Sequence, residues 1–125
     1  MNHRILVVED NPDNMKLVTW LLEDEGWAFE CAPTAEEGLA QVQAKTFDVV
    51  LMDISLPGMN GDEATRLLRQ DPKHETLPII ALTAHAVAGE REKILASGVT
   101  ALVTKPIDEH MLVTMIKQAL NGCGG

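Results

Sequence analysis

Five short apolar segments alternate with longer amphipathic segments along the chain, and this alternation constrains the fold more than any other feature. Apolar segments of this length, rich in Val, Ile and Leu, are typical of buried strands. Because parallel strands need crossover helices, the alternation predicts an α/β fold, a three-layer (βα)5 sandwich around a five-stranded parallel sheet. The predicted strands are Arg4–Val8, Trp27–Ala32, Asp48–Met52, Pro78–Leu82 and Ala101–Thr104.

Residues that favour helix ends mark the segments between these strands. Pro12 suits a first helical turn, Gly26 suits a helix stop, and Thr34–Glu37 has the pattern of a capping box. One domain over residues 1–121 is expected, followed by a disordered Gly-rich tail over residues 122–125. The predicted helices are Pro12–Glu25, Thr34–Ala44, Asp62–Gln70, a segment ending near Gly98, and Asp108–Asn121 with Gly122 as its stop.

The composition excludes several classes of partner. The net charge is −9 and the pI is near 4.7, so neither nucleic acid nor an anionic membrane surface is an expected partner. The apolar segments are far shorter than the roughly 20 residues of a membrane span, so no membrane insertion is expected. The two cysteines, Cys31 and Cys123, show no motif spacing, which favours a reduced, cytoplasmic protein. Cys31 is expected to face the core, and Cys123 is expected to be a thiol in the tail.

Polar residues follow four of the five predicted strands. In an open parallel sheet the functional site lies outside the carboxyl ends of the strands, so these residues are expected to converge. Three clustered carboxylates repel one another and need a cation or a shared proton, and oxygen ligands suit Mg²⁺. A hydroxyl and an amine could bind phosphoryl oxygens, and a carboxylate could act as a nucleophile and form an aspartyl-phosphate. The residues are Glu9, Asp10, Asp53, Thr83 and Lys105.

These residues, in this order and with these spacings, closely resemble the receiver domains of two-component response regulators. The resemblance runs from about Arg4 to Leu120 and includes Pro106 directly after Lys105. The segments Val8–Asn11 and Leu51–Ile54 look most like receivers that are attached to, or supplied by, hybrid sensor kinases. The resemblance implies the flavodoxin-like strand order 2-1-3-4-5.

The resemblance implies a role for each acidic residue. Asp53 would be the phosphoacceptor, and Asp10 and Asp53 would bind Mg²⁺ directly. Glu9 would act on the metal through a water, and the backbone carbonyl of Ser55 would complete the protein ligands. Ser55 and His85 occupy the family positions that flank the phosphoryl group and tune its hydrolysis.

The resemblance also covers the last two strands. Thr83 would contact the phosphoryl oxygens, and Lys105 would pair with the phosphoryl charge. Pro106 would follow a cis peptide bond, which only X–Pro bonds adopt readily, and would contribute to partner binding. The chain departs from many receivers at Leu102, where an aromatic residue is common, so the usual aromatic rotamer switch is missing.

The function implied is a phosphorelay signalling switch and not a turnover enzyme. The expected donor is a histidine kinase or a histidine phosphotransfer domain, and the output would pass to a downstream protein target. The chain could be a free single-domain regulator or a receiver excised from a hybrid histidine kinase. A receiver-like domain that binds proteins without phosphorylation is a further alternative.

Two other protein classes share parts of this pattern. A flavodoxin-like cofactor protein would need a phosphate-binding loop after the first strand, where the acidic Glu9–Asp13 would repel a phosphate. A small aspartyl phosphohydrolase would usually carry a second Asp two residues after the nucleophile, where this chain has Ser55.

The first helix carries a wide apolar arc. At 100° per residue the arc is about twice as wide as a surface helix needs, which can mark an interaction site. Met15, Leu22 and Trp20 lie at or near its edges. They are predicted to contact a helical partner, with ordinary exposure of single hydrophobic residues as the alternative.

Overall fold

A computed structural model describes residues 3–84 and 88–122. Strands and helices alternate throughout the described residues, and one turn of 3-10 helix at Pro72–His74 precedes the fourth strand. The strands are β1 (Arg4–Val8), β2 (Ala28–Ala32), β3 (Val49–Asp53), β4 (Ile79–Thr83) and β5 (Ala101–Thr104). The helices are α1 (Pro12–Asp24), α2 (Ala35–Ala44), α3 (Gly61–Gln70), α4 (Ala88–Ala96) and α5 (Glu109–Gly122).

All five strands form one parallel sheet in the order β2-β1-β3-β4-β5. This confirms the α/β fold and the strand order that the resemblance implied. β1 and β3 lie next to each other at the centre, and β4 and β5 follow on one side. The carboxyl ends of β1, β3, β4 and β5 therefore lie along one edge of the sheet.

Both faces of the sheet are buried, which explains why the strands read as continuous apolar segments. Alternate residues of a strand point to opposite faces, so Ile5 and Val7 pack on one face and Leu6 and Val8 on the other. The first of these cores is completed by side chains of α1 and α5, and the second by side chains of α2, α3 and α4.

Two strand boundaries differ from prediction in a way that matters for the site. β3 and β4 each begin and end one residue later than expected, so Asp53 and Thr83 are the last residues of their strands. The pairing explains the difference, because Asp53 lies opposite Leu82 and Thr83 lies opposite Thr104 in the parallel ladders. Gly122, which was predicted to follow the last helix, is part of α5 and is the last residue described.

The predicted partner contact by Leu22 is wrong. Leu22 is fully buried in the core between α1 and the sheet, and Met15 is partly buried against the same core. The apolar arc of α1 is wide because the helix packs against β1 and β2 and also against α5. Trp20 is the residue of this group that is exposed, with 58% of its surface accessible.

Two further observations concern cellular context. Cys31, which was expected to face the core, is exposed on β2 at the edge of the sheet. Among the described residues, every helix is too short or too polar to cross a bilayer. Cys123 lies outside the described residues.

Candidate functional site

The carboxyl edge of the sheet gathers the polar residues that the sequence predicted. Glu9 and Asp10 directly follow β1, Asp53 ends β3, and Thr83 ends β4. Glu9, Asp53 and Thr83 are buried, whereas Asp10 is exposed. The site is thus a buried polar group with one carboxylate at its solvent side.

Three carboxylates form the centre of this group. One oxygen each from Glu9, Asp10 and Asp53 lies within 4.8 Å of the others. Backbone groups hold two of them, since the Ser55 amide donates to Asp53 Oδ1 at 3.2 Å and the Asn11 amide donates to Glu9 Oε2 at 3.2 Å. The cluster is therefore fixed by the backbone of the two loops that carry it.

Lys105 brings one positive charge to these acids. Its Nζ lies 3.2 Å from Glu9 Oε1 and 3.2 Å from Asp53 Oδ1, and its side chain is largely buried. The position of Lys105 is set by its amide, which donates to the Thr83 carbonyl at 2.7 Å, and by a cis peptide bond to Pro106. The cis bond confirms the expectation from the resemblance.

The folded protein disfavours the ionised form of Glu9. Burial, and after it the hydrogen bond and charge of the neighbouring Asp53, raise the pKa of Glu9 to about 7 against smaller opposing effects of the Asn11 amide and Lys105. Its Oε1 is buried and accepts no hydrogen bond, because the approach of the Lys105 ammonium at 3.2 Å does not have hydrogen-bond angles. This oxygen is therefore available to a divalent cation.

The cluster fits a divalent cation bound by oxygen. Three carboxylate oxygens that lie within 4.8 Å of one another could all reach one small cation, and Mg²⁺ prefers oxygen ligands. The unsatisfied Glu9 Oε1 and the solvent-exposed Asp10 also fit a partly hydrated ion. When bound, Mg²⁺ would neutralise the repulsion among the acids and leave coordination positions open for a phosphoryl oxygen.

Mg²⁺ affinity should depend on pH through Glu9. With a pKa of about 7, Glu9 is mostly protonated at pH 6 and mostly ionised at pH 8, so the affinity should be about tenfold weaker at pH 6. Isothermal titration calorimetry at both pH values measures this difference. Glu9→Gln should remove most of it, and an equal affinity at pH 6 and pH 8 in the wild-type protein would contradict the prediction.

The raised pKa of Glu9 also makes the stability of the metal-free protein depend on pH. The folded protein holds the Glu9 proton more tightly than the unfolded chain does, because the folded pKa is raised from 4.5 to about 7. The contribution of Glu9 to stability should therefore fall as the pH rises from about 4.5 to about 7, and Mg²⁺ should reverse this loss.

Two residues that shape the site were not identified from the sequence. Asn11 caps α1 through its side chain, which accepts from the amides of Asp13 and Asn14, while its own amide holds Glu9. Gly61, which lies just before the predicted helix Asp62–Gln70, is the first residue of α3, and a Cβ there would stand 2.2 Å from the Asp53 carbonyl oxygen. An Asn before Pro is a recognisable cap signal, but the close approach at Gly61 has no local signal.

The structure brings most of the predicted site residues together. Glu9, Asp10, Asp53, Thr83, Lys105 and Ser55 share the carboxyl edge of the sheet. His85 lies outside the described residues. Pro106 is exposed beside Lys105, and Leu102 is partly buried against the core on the α2, α3 and α4 side.

Sequence comparison matches nearly the whole chain to one family of domains. A sequence model of the response regulator receiver domain matches residues 5–117. The chain is 38% identical over 120 residues to the signal transduction histidine-protein kinase BarA of Escherichia coli K12, a match that covers 96% of this chain. It is 40% identical over 114 residues to an uncharacterized 14.6 kDa protein of Leptolyngbya boryana, covering 91% of this chain and 87% of that protein.

Structural comparison agrees. The receiver domain of the sensor histidine kinase PA1611 from Pseudomonas aeruginosa, solved with a magnesium ion coordinated in its active site cleft, superimposes with a TM-score of 0.90 at 30% identity. The match covers 97% of this chain and 99% of that one. The chain spans only 7% to 13% of the length of the curated kinases that it matches.

Proposed function

This chain belongs to the response regulator receiver domain family, and from that premise we propose that Asp53 accepts a phosphoryl group from a phosphohistidine donor in a Mg²⁺-dependent reaction. The observation that carries the proposal is the position of Asp53, which lies within the carboxylate cluster and 3.2 Å from the Lys105 ammonium. A buried carboxylate that lies in a candidate cation site and beside an ammonium is suited to phosphoryl transfer.

The residues have separate roles in this proposal. A carboxylate oxygen of Asp53 forms the new bond to phosphorus while the bond from phosphorus to the donor imidazole nitrogen breaks. Asp10, Asp53 and the Ser55 carbonyl would hold Mg²⁺ directly and Glu9 would act on it through a water, while Ser55 and His85 tune hydrolysis of the product. Lys105 and the Thr83 hydroxyl bind the phosphoryl oxygens.

The outcome of the transfer is a change of conformation. The phosphoryl group adds negative charge at the ends of β3, β4 and β5, so Thr83 and Lys105 move towards it and bias the equilibrium between two states. The chain thus acts as a phosphorelay switch that promotes its own phosphorylation and dephosphorylation and does not turn over a substrate. Its output passes to a protein target.

The wider context belongs to the same proposal. The match covers a small part of the length of each kinase, which suits a receiver module within such a protein. The match covers most of the Leptolyngbya boryana protein, which suits a separate chain of receiver size. In either setting the donor is a histidine kinase or a histidine phosphotransfer domain. We assign residues 1–121 to the receiver domain and the reaction to the cytoplasm.

Small-molecule phosphorylation tests the proposed reaction directly. Incubation with phosphoramidate and Mg²⁺ should add one phosphoryl group to the intact protein, as measured by mass spectrometry, and EDTA should prevent the gain. A receiver-like domain that works without phosphorylation would gain no mass under either condition, and that result would overturn the proposal.

Exposed apolar residues of α1 are the proposed donor contact. Trp20 is 58% exposed, and Met15 on the same helix is partly buried. Trp20→Ala and Met15→Ala should slow phosphoryl transfer from a histidine phosphotransfer domain several-fold and leave the rate with phosphoramidate unchanged, because the small donor needs no docking surface.

The matched control for this prediction lies on the other side of the sheet. Leu67 on α3 is 44% exposed, and Leu67→Ala should leave both rates unchanged. An equal loss with both donors in Trp20→Ala, or an equal loss in Leu67→Ala, would contradict the docking role. Leu22 is not used, because its burial means that truncation would destabilise the fold.

A further inference from the structure

Two of the five asparagines in the chain directly precede a glycine. The pairs are Asn60–Gly61 and Asn121–Gly122. Asparagine is a thermolabile residue that deamidates spontaneously, and a following glycine favours the reaction because it has no side chain to hinder its backbone nitrogen. Each pair is therefore a candidate site of covalent modification, and the two pairs lie in different surroundings.

The side chain of Asn60 is not used by the helix that it precedes. Asn60 stands at the capping position of α3, but none of the first-turn amides, all of which the structure describes, donates to its side chain. Asn11 and Thr34 occupy the same position at α1 and α2, and both accept such hydrogen bonds. Asn60 is exposed and lines the same surface cleft as Asp10 and Ser55, so water reaches its carboxamide.

The backbone nitrogen that would attack this carboxamide is held in place. The Gly61 amide donates to the Ile54 carbonyl at 3.0 Å, and the Gly61 carbonyl accepts from the Thr65 hydroxyl at 2.8 Å. Gly61 is buried so close to β3 that a Cβ on it would stand 2.2 Å from the Asp53 carbonyl oxygen. The nitrogen can lose its proton and turn towards Asn60 only after the first turn of α3 has opened.

We propose that Asn60–Gly61 is a latent isoaspartate site, kept closed by the contact that holds α3 against Asp53. When the first turn of α3 opens, the Gly61 nitrogen forms a bond to Asn60 Cγ. The proton of that nitrogen and the carboxamide NH₂ group leave together as ammonia, and a succinimide ring remains. Water then opens the ring at one of its two carbonyls and leaves either aspartate or isoaspartate at position 60.

The two products differ in the length of the backbone. Aspartate keeps the length and supplies the side-chain cap that α3 lacks, and its charge is favourable at a helix N-terminus. Isoaspartate carries the backbone through Cβ and adds one carbon before Gly61, where even a Cβ on Gly61 has no space. The isoaspartyl form should therefore lose the contact between α3 and Asp53. The effect on phosphorylation rests on the proposed function, whereas the modification itself does not.

Deamidation rates of the wild-type protein, measured by mass spectrometry of proteolytic peptides, test the site. In concentrated urea the peptides that contain Asn60 and Asn121 should deamidate at similar rates. In the folded protein the Asn121 peptide should stay within roughly threefold of that rate, because Asn121 is exposed in the last turn of α5 and helix ends fray. The Asn60 peptide should slow by about tenfold or more, because the reaction must wait for local opening.

Asn60→Ser is the control for these rates. Serine can cap a helix but has no carboxamide, so the corresponding peptide of this variant should gain no mass in urea or in the folded protein. An Asn60 peptide that deamidates equally fast in the folded protein and in urea would show that the contact of Gly61 does not close the site. That result, or an Asn60 peptide that does not react in urea, would overturn the proposal.

The products can be compared in Asn121→Ser, which confines the reaction to Asn60. The variant is aged in urea, refolded and separated by ion exchange, and isoaspartyl methyltransferase identifies the isoaspartyl form. This form should unfold at a lower urea concentration than Asn60→Asp, which has the backbone of the other product.

Phosphorylation of these forms by phosphoramidate and Mg²⁺ tests the consequence for the site. The isoaspartyl form should gain the phosphoryl group about tenfold more slowly or less, and Asn60→Asp should react at the wild-type rate. An isoaspartyl form as stable and as reactive as Asn60→Asp would overturn the proposal. Absence of any phosphoryl gain in the unmodified protein would count against the proposed function, while the deamidation rates and the urea unfolding would still decide the modification site.

Discussion

Asp53→Asn should gain no phosphoryl group when it is incubated with phosphoramidate and Mg²⁺ under conditions in which the wild-type protein gains one. The amide is a far weaker nucleophile than the carboxylate, and the substitution also removes one of the three acids that would hold the metal. Intact mass spectrometry measures the result. We expect complete loss of the phosphoryl gain within the detection limit, which is the largest effect predicted for a single substitution at the site.

Asp62→Asn is the matched control for this experiment. Asp62 is another buried carboxylate, but it lies on α3 and pairs with Arg66 at 3.4 Å outside the carboxylate cluster. The Asp62→Asn variant should gain one phosphoryl group, as the wild-type protein does. Hydroxylamine should remove the group from the wild-type protein, because an acyl phosphate is labile to it and a phosphorylated Ser55 would not be. A phosphoryl gain in Asp53→Asn would show that the acceptor is another residue.

The positions of the strands and the membership of the site could be predicted because they depend on local patterns. Strands buried on both faces read as apolar segments, and a parallel sheet brings the residues after its strands to one edge. Glu9, Asp53 and Lys105 are therefore recognisable before any contact is known. The strand order came from the family resemblance, since five parallel strands can be arranged in several ways.

The predictions that failed depend on which neighbour a side chain meets. A helical projection of α1 shows a wide apolar arc but cannot show that α5 covers part of it, so Leu22 was assigned to a partner although it is buried in the core. Cys31 was assigned to the core although β2 lies at the edge of the sheet. For Leu22 the missing information was the packing of α5 against α1, whereas the edge position that exposes Cys31 follows from the strand order itself.

Arg69 and Gly61 show a further limit of sequence reasoning. Arg69 occupies an ordinary position on an amphipathic helix. Its guanidinium donates to the carbonyls of Gly98 and His74 and to Thr100 Oγ1. Gly98 and Thr100 are distant in sequence, and His74 lies in a 3-10 turn that no pattern predicted. Gly61 follows Asn60 in a stretch rich in turn residues, which favours a loop. Only the approach of α3 to the end of β3 reveals why a side chain cannot be placed there.

Gly61→Ala should destabilise the fold by about 3 kcal/mol or more and should slow phosphorylation strongly. A Cβ at this position would stand 2.2 Å from the Asp53 carbonyl oxygen and 2.9 Å from Met52 Cγ. The carbonyl cannot rotate away, because it is part of the backbone of the residue proposed to accept the phosphoryl group. Either α3 or the end of β3 must move, and a shift of about 1 Å at a reacting group can reduce a rate by about a hundredfold.

Gly89→Ala separates this effect from the general properties of the substitution. Gly89 lies in α4, and a Cβ there would meet nothing within 4 Å, so alanine should be neutral or stabilising by up to about 1 kcal/mol. Urea unfolding of both variants, together with phosphorylation by phosphoramidate, measures the two effects. If Gly61→Ala matched Gly89→Ala in stability and in phosphorylation rate, the close contact between α3 and Asp53 would not constrain the site. A loss in Gly61→Ala alone would show that α3 must approach the backbone of Asp53 this closely for its carboxylate to stand at the metal cluster.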